Sequence, residues 1–348
     1  MNNEFDSNPE TSLPLISVVI PAFNEESRIS EAIEAVIEQT YPRERTEIIV
    51  VDDASMDRTS EIASSHPIRV IRHQVNSGDS ASRNTGAEAS SGDIIATTDA
   101  DDVADRDWLS SLSRCYEDSN IGAVVGSTRL IYNQSNWQER VVAELALCLR
   151  GSDRVQGIHN KRGGVRRNIS AGTNESFRRE VFFGVRGFDT GLSSGMDLDI
   201  LWRIESAGYH VGFAPDAVVY RRQRASVRDY VRQVYCRSIE GAAIYCKHPR
   251  KIEPPYLANL AFIPALVLLS LVSLYLDSPL VMTATVLSLV APIAYFLLKS
   301  LKILPRLRNA GDILLLPLLG LLTIAVSSIA GIAGLLIFVL NYEERLMK

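Results

Sequence analysis

Cysteine is scarce in this chain. Four residues in 348, at positions 115, 148, 236 and 246, form no CxxC pair and have no histidine at zinc spacing. A disulfide framework and a structural zinc site are therefore excluded, and the thiols are expected to be buried or spare in a reducing compartment. His66, His73, His159, His210 and His248 make no cluster and carry no functional claim. Net positive charge is also lacking: at −5 the chain gives no support to nucleic-acid binding, which normally shows as a strongly basic domain or stripe. No glycine-rich turn follows the first apolar strand and no P-loop lysine pattern occurs, which excludes a dinucleotide-binding fingerprint and a Walker-type site. Residues 1–14 are polar and acidic, without a basic stretch leading into an apolar core. They are expected to be a tail rather than a signal peptide, leaving the soluble part in the cytoplasm.

Apolar residues are present, but unevenly placed. Nearly all the long runs follow Tyr256, while charge crowds the part before it. The expected organisation is a tail at 1–14, a soluble α/β domain at 15–225, a basic amphipathic membrane-proximal segment at 226–256, a transmembrane region at 257–340 and a tail at 341–348. Stretches 257–276 and 279–298 have the ~20 residues needed to cross hydrocarbon. The third, 313–340, is longer and would have to tilt or begin with an interfacial turn near Pro317. Lys247, His248, Arg250 and Lys251 precede the first stretch, and Lys299, Lys302, Arg306 and Arg308 separate the second from the third. By the positive-inside rule both basic segments, and the soluble domain, face the cytoplasm of a multi-pass protein in the cell membrane, and three spans would put the C-terminus outside. Gly320, Ser327, Ser328, Gly331 and Gly334 would let helices pack closely. Arg228, Arg232 and Arg237 alternate with Tyr230, Val231, Val234, Tyr235, Ile239 and Tyr245, a pattern that fits a helix on a bilayer surface or one packed on the domain.

Before position 100 strands and helices alternate. Ile16–Ile20, 47–51, 68–71 and 94–96 carry strand-like apolar runs, and 26–39, 57–63 and 80–89 follow the first three with helical spacing. This alternation predicts an α/β fold with a mainly parallel sheet flanked by helices, whose ligands bind at the carboxyl ends of the strands.

Carboxylates gather at two such ends: Asp52-Asp53, and Asp99-Ala100-Asp101-Asp102. Like charges so close repel unless a cation or hydrogen-bond donors offset them. A hard divalent ion with oxygen ligands, Mg²⁺ or Mn²⁺, does so and can also neutralise a departing diphosphate. An isolated Asp-x-Asp is more often a solvated turn; its position behind a buried strand favours the metal. Asp102 or Asp105 is expected to cap the helix that holds Trp108 and Leu109.

Four segments carry a specific likeness: 18–26 (VVIPAFNEE), 48–55 (IIVVDDAS), 81–86 (ASRNTG) and 98–102 (TDADD). In order and spacing they resemble family 2 glycosyltransferases, over roughly residues 17–245. The resemblance implies a GT-A fold, a Rossmann-like sheet that binds a nucleotide sugar, a UDP- or GDP-sugar. It implies that Pro21, Ala22 and Glu25 line the nucleoside pocket, that Asp53 contacts the base and that Arg83 lies near base or phosphates. Asp99 would face ribose and metal, and Asp101 would be the principal metal ligand. Segments 171–179 and 187–189 are similar to the family's acceptor-side strand and turn, with Gly172, Thr173, Trp202 and Arg203 on the acceptor side. Segment 195–203 (GMDLDILWR) is similar to the helix that bears its catalytic base, Asp197. Met196 departs from the acidic residue usual there, and Asp199 competes for the role.

No Gln-x-x-Arg-Trp motif of processive synthases is present, so single-sugar transfer is expected. The architecture resembles exopolysaccharide enzymes of the succinoglycan type. The expected function is inverting, metal-dependent transfer to a lipid-linked or other glycan acceptor at the membrane. Two alternatives stand beside it: a polyprenyl-phosphate sugar synthase, which needs no general base, and a non-catalytic nucleotide-sugar-binding scaffold. Lys161, Arg162, Arg166 and Arg167, around Gly163-Gly164, are expected in a flexible loop or against phosphate groups.

Overall fold

The computed structural model describes residues 13–150, 174–192, 194–222, 226–252, 254–276, 279–303 and 312–346. The chain forms two compact units: Met1–Ile131 with Arg154–Arg222, and Tyr132–Asp153 with Gln223–Lys348.

In the first unit the strands are β1 (Ile16–Ala22), β2 (Thr46–Asp52), β3 (Arg69–Arg72), β4 (Ile94–Thr97), β5 (Asp102–Ala104), β6 (Ile121–Ile131), β7 (Glu175–Arg178) and β8 (His210–Arg222). They form one sheet in the order β3-β2-β1-β4-β7-β6-β8-β5. β1, β2, β3 and β4 are parallel, as the alternation predicts. The other half is mixed: β7 runs antiparallel to β4 and β6, and β5 runs antiparallel to β8. This half lay outside the regular strand-helix repeat, so sequence spacing gave no sign of its reversed strands.

Helices α1 (Ile29–Ile37), α2 (Thr59–Ser64), α3 (Asp79–Ala89), α4 (Trp108–Cys115), α6 (Arg179–Gly184) and α7 (Met196–Ser206) cover this sheet, and α5 (Trp137–Arg150) belongs to the second unit. The core joins alternate residues of β1, such as Val18 and Ile20, to Ile29, Ile33 and Val36 of α1 and to Leu109 and Leu112 of α4. Each such side chain contributes about 1.5–3 kcal/mol on burial. Trp108 is fully buried, and its indole Nε1 donates to Asn174 Oδ1 at 2.8 Å. Asn174 Nδ2 in turn donates to the carbonyls of Ser127 and Ala217, where the register of β6 against β8 shifts.

Partly buried Glu47 ties three segments together. Its Oε2 accepts from Ser17 Oγ at 2.5 Å, Ser91 N at 2.8 Å and Ser91 Oγ at 3.1 Å, joining β1 and β2 to the turn before β4.

The second unit contains α5, α8 (Val227–Lys247), α9 (Pro254–Leu276), α10 (Pro279–Ile303) and α11 (Asp312–Leu346). Tyr256–Leu276, Pro279–Leu298 and Leu314–Phe338 are long and apolar enough to cross a membrane. Pro264 leaves the Leu260 carbonyl without its helical N–H donor, and Ser328 Oγ of α11 fills the gap at 3.1 Å. Close packing at the small residues is present: a Cβ on Gly320 would sit 2.6 Å from the Phe296 ring, and one on Gly334 would strike the main chain at Ile239. Val141, Val142 and Leu145 of α5 pack with Phe296, Leu316 and Leu319. Arg140 Nε donates to buried Asp312 Oδ2 at 2.6 Å.

Candidate active site

The loops after β1 and β2 interlock. Asn24 N donates to Ser55 Oγ at 2.9 Å, Glu25 N to Thr59 Oγ1 at 2.8 Å, and Met56 N to Asn24 Oδ1 at 2.8 Å. Asn24 and Ala54 hold φ of 55° and 60°, a left-handed conformation that costs an alanine about 1–2 kcal/mol. The loops position Pro21, Ala22, Glu25 and Asp53 at one end of the sheet.

Asp53 is buried and organises the segment that enters α3. Its Oδ1 accepts from Ser77 N at 2.9 Å and lies 2.7 Å from His73 Nδ1, while Oδ2 accepts from Gly78 N at 2.8 Å. His73 Nε2 is 3.0 Å from Thr85 Oγ1, so the imidazole links Asp53 to α3. An open cavity of about 730 Å³ lies beside it, lined by residues 54–57 and 72–74.

α3 carries Arg83 into the site. A Cβ at Gly86 would collide with Val19, so glycine there seats the helix directly on β1. Arg83 is buried, donating through Nε to Asp79 Oδ1 at 3.0 Å and through Nη2 to Asp99 Oδ1 at 2.5 Å. Burial works against its charge, but Asp79, Asp99 and Glu175 outweigh that and hold its pKa above the usual value.

The acidic cluster follows β4. Carboxylate oxygens of Asp99, Asp101 and Asp102 lie within 4.8 Å of one another. Arg221 of β8 reaches across: its Nη2 is 2.5 Å from Asp99 Oδ2 and 3.0 Å from Asp102 Oδ2, and its Nε is 3.1 Å from Asp102 Oδ1. Arg28 Nη1 stands 3.5 Å from Asp101 Oδ2. Asp102 is buried, and burial raises its carboxyl to a pKa of about 7, with Arg221 opposing the rise and Asp99 and Asp101 adding to it.

α7 closes the other side. Ser80 Oγ, next to Asp79, donates to Met196 Sδ at 3.0 Å, which brings the first turns of α3 and α7 together. Asp197 lies in the first turn of α7, half-buried. Asp199 is fully buried and bound to Arg203, whose Nε donates to its Oδ2 at 2.8 Å.

Residues 17–186 match the family described as Glycosyl transferase family 2. Glycosyltransferase AglE of Haloferax volcanii is 31% identical over 214 residues, covering 60% of this chain and 67% of that protein. The chain belongs to glycosyl transferase family 2. The glucosyl-dolichyl phosphate glucuronosyltransferase of the same organism is 32% identical over 181 residues, covering 50% of this chain and 56% of that relative, so the present chain spans little more than half of its length. Among solved structures, the mannosyltransferase PcManGT from Pyrobaculum calidifontis, in complex with GDP-Man and Mn²⁺, is similar in fold. The TM-score is 0.55 at 24% identity, over 92% of this chain and 88% of that one. The fold is GT-A, and the chain is a glycosyltransferase.

Within the family 2 site, the helix-cap expectation changes. Asp102 does not cap a helix: it lies in β5, paired in register with Arg221. α4 begins after Asp107, and Asp105 instead accepts from Tyr220 Oη at 3.1 Å and Asp107 N at 3.3 Å. Trp202 is buried, and Arg203 is bound to Asp199 and to the carbonyls of Val185 and Gly187, so both brace α7. Gly172, Thr173 and the basic stretch 161–167 lie outside the described residues.

Sequence reasoning missed Arg28, His73, Asp79 and Arg221. Only Arg221 left a trace, as an arginine pair ending an apolar strand, and its partners lie about 120 residues away in the chain.

The cluster's donors suit a divalent cation. All are hard carboxylate oxygens, Asp99 and Asp101 keep 28% and 22% of their side chains exposed, and Asp102 is fully enclosed with both oxygens on Arg221.

Proposed function

We propose that this enzyme transfers a single sugar, with inversion, from a UDP- or GDP-sugar to a lipid-linked glycan acceptor at a membrane. The observation that carries the reading is the pairing of Asp199 with Arg203, which leaves Asp197 as the carboxylate of this turn nearer the surface, beside the Asp79–Arg83–Asp99 chain.

In this reading Pro21, Ala22 and Glu25 border the nucleoside, and Asp53 contacts the base through Oδ2, which accepts one hydrogen bond among the described residues and has a further lone pair. Asp99 and Asp101 would hold Mg²⁺ or Mn²⁺, with Asp102 and Arg221 behind them. When bound, such an ion offsets the negative charge growing on the departing diphosphate. Asp197 takes the proton from the acceptor hydroxyl as that oxygen bonds to the anomeric carbon, and the bond from that carbon to the diphosphate oxygen breaks, leaving the electron pair on the diphosphate. Arg83, Arg221 and Arg28 supply positive charge where that negative charge collects. The three apolar helices support membrane attachment, with the catalytic unit on the cytoplasmic face.

The test is an Asp197→Asn variant of the full chain. Nucleotide binding with Mn²⁺, followed by calorimetry, should persist while transfer falls by about 10²–10⁴-fold. Full activity would instead favour direct attack by a polyprenyl phosphate. A wild-type chain that neither bound nor hydrolysed any UDP- or GDP-sugar with Mn²⁺ or Mg²⁺ would be a scaffold.

A further inference from the structure

Three helices have the length and apolarity of spans, but their packing does not match three parallel rods. Leu260 stands 16 residues before the end of α9 at Leu276, and Phe296 stands 17 residues after the start of α10 at Pro279. At 1.5 Å per residue both lie about 25 Å from the tip of the α9–α10 hairpin, at the same height. The tip itself is bare: Leu274, Tyr275 and Leu280 are 80–87% exposed.

α11 meets the hairpin at those two points. Ser328 Oγ lies 3.1 Å from the Leu260 carbonyl and accepts from Ile263 N at 3.2 Å, whereas Gly320 is the residue under the Phe296 ring. Positions 320 and 328 are 8 residues apart, about 12 Å along the helix. A helix running alongside the hairpin would present one level to two points of equal height. α11 instead crosses the hairpin near its base.

α8 confirms the direction. Tyr230 Oη is 3.2 Å from Thr323 Oγ1, and the main chain at Ile239 abuts Gly334, so α8 advances beside α11 in the same sense over this whole stretch. α8 exposes Arg228, Arg232 and Arg237. Were α11 a span, these three guanidiniums would be carried into hydrocarbon, at about 2.5–3.5 kcal/mol each by the lowest scale. A helix pair in the plane of the interface avoids that cost, because the arginines then reach headgroups and water while α11 faces acyl chains. α5 joins the same layer through Val141, Val142 and Leu145 against Leu316 and Leu319, and through Arg140 on Asp312.

We propose that only the α9–α10 hairpin crosses the bilayer, and that α5, α8 and α11 form a layer in the plane of the interface at its base, with phospholipid as its partner. The inference rests on the membrane attachment proposed above. It places the C-terminal end of α11 on the same side as the catalytic unit, where three spans would place it opposite.

The experiment uses the full chain in sealed membrane vesicles of both orientations, with one epitope tag before Met1 and another after Lys348. Both tags should be cleaved by added protease in the same vesicle population, and, with Cys115, Cys148, Cys236 and Cys246 replaced by serine, an impermeant maleimide should label a Ser278→Cys variant only in the other. Tags cleaved in opposite populations would overturn the proposal and restore a third span. Tags on one side with Ser278→Cys labelled on that side too would also overturn it, since the hairpin would not cross. Release of the whole chain by alkaline carbonate would instead defeat the underlying membrane reading.

Discussion

Arg221 Nη2 lies 2.5 Å from Asp99 and 3.0 Å from Asp102, so one guanidinium at the end of β8 holds two carboxylates of the acidic cluster that follows β4. Removing it leaves a fully buried Asp102 beside two further carboxylates. Arg221→Ala should therefore cost about 3 kcal/mol, the low end for a broken buried pair because 22% of the arginine side chain is exposed. Thermal or denaturant unfolding reads the loss. Arg221→Lys should recover part of the stability, since it restores charge without the two-pronged geometry.

Asp199 and Arg203 make a second such pair, and here the effect should be structural. Asp199→Asn removes the charge that Arg203 faces inside α7, so stability should drop by about 3 kcal/mol while nucleotide affinity of the folded fraction is retained. Calorimetric nucleotide binding beside a melting curve separates the two. A variant of normal stability that loses only transfer would instead move the base assignment from Asp197 to Asp199.

Glu47 gives the fold a pH dependence. Partial burial disfavours its charge, but the bonds from Ser17 and Ser91 outweigh that and hold its carboxyl below the ordinary value. A group with a lowered folded pKa stabilises fully above its unfolded pKa, about 4.3, and loses that contribution as pH falls through the folded value. Glu47→Gln should therefore be less stable than wild type at neutral pH, and the gap should close on acidification below that pKa. Melting curves across pH 3–7 would show the convergence; a constant gap would rule it out.

Ala54 holds φ of 60° between Asp53 and buried Ser55. Glycine takes that conformation without the Cβ penalty but loses more backbone entropy on folding. The balance predicts that Ala54→Gly raises stability by about 0.5–1 kcal/mol, measured as a higher melting temperature.

Much of the parallel half-sheet was legible because its strands are apolar runs closed by polar residues, with a helix following each of the first three. Asp53, Asp99 and Asp101 were legible because they stand directly at those strand ends. Arg221 was not, since no local pattern announces a contact between β8 and β5. The cap expectation for Asp102 or Asp105 arises because an aspartate ahead of a helix commonly caps it, and only the pairing of β5 with β8 shows that Asp102 lies in a strand. His73 was dismissed as solitary, yet its two ring nitrogens bridge Asp53 and Thr85, groups that approach only once β3 and α3 flank β2. Helix α5 was not read from the sequence, and the residues it packs against, Phe296, Leu316 and Leu319, lie far along the chain.

Arg140 of α5 and Asp312 of α11 are separated by 172 residues of chain. At about 5–20 residues per second of synthesis, α5 leaves the ribosome roughly 10–30 s before the helix that neutralises its arginine and covers Val141 and Leu145. During that interval the sheet before it can begin to fold, while α5 must wait with its apolar side open. α5 is thus made before α9, the first helix long and apolar enough to cross a membrane, and well before the partner that covers it.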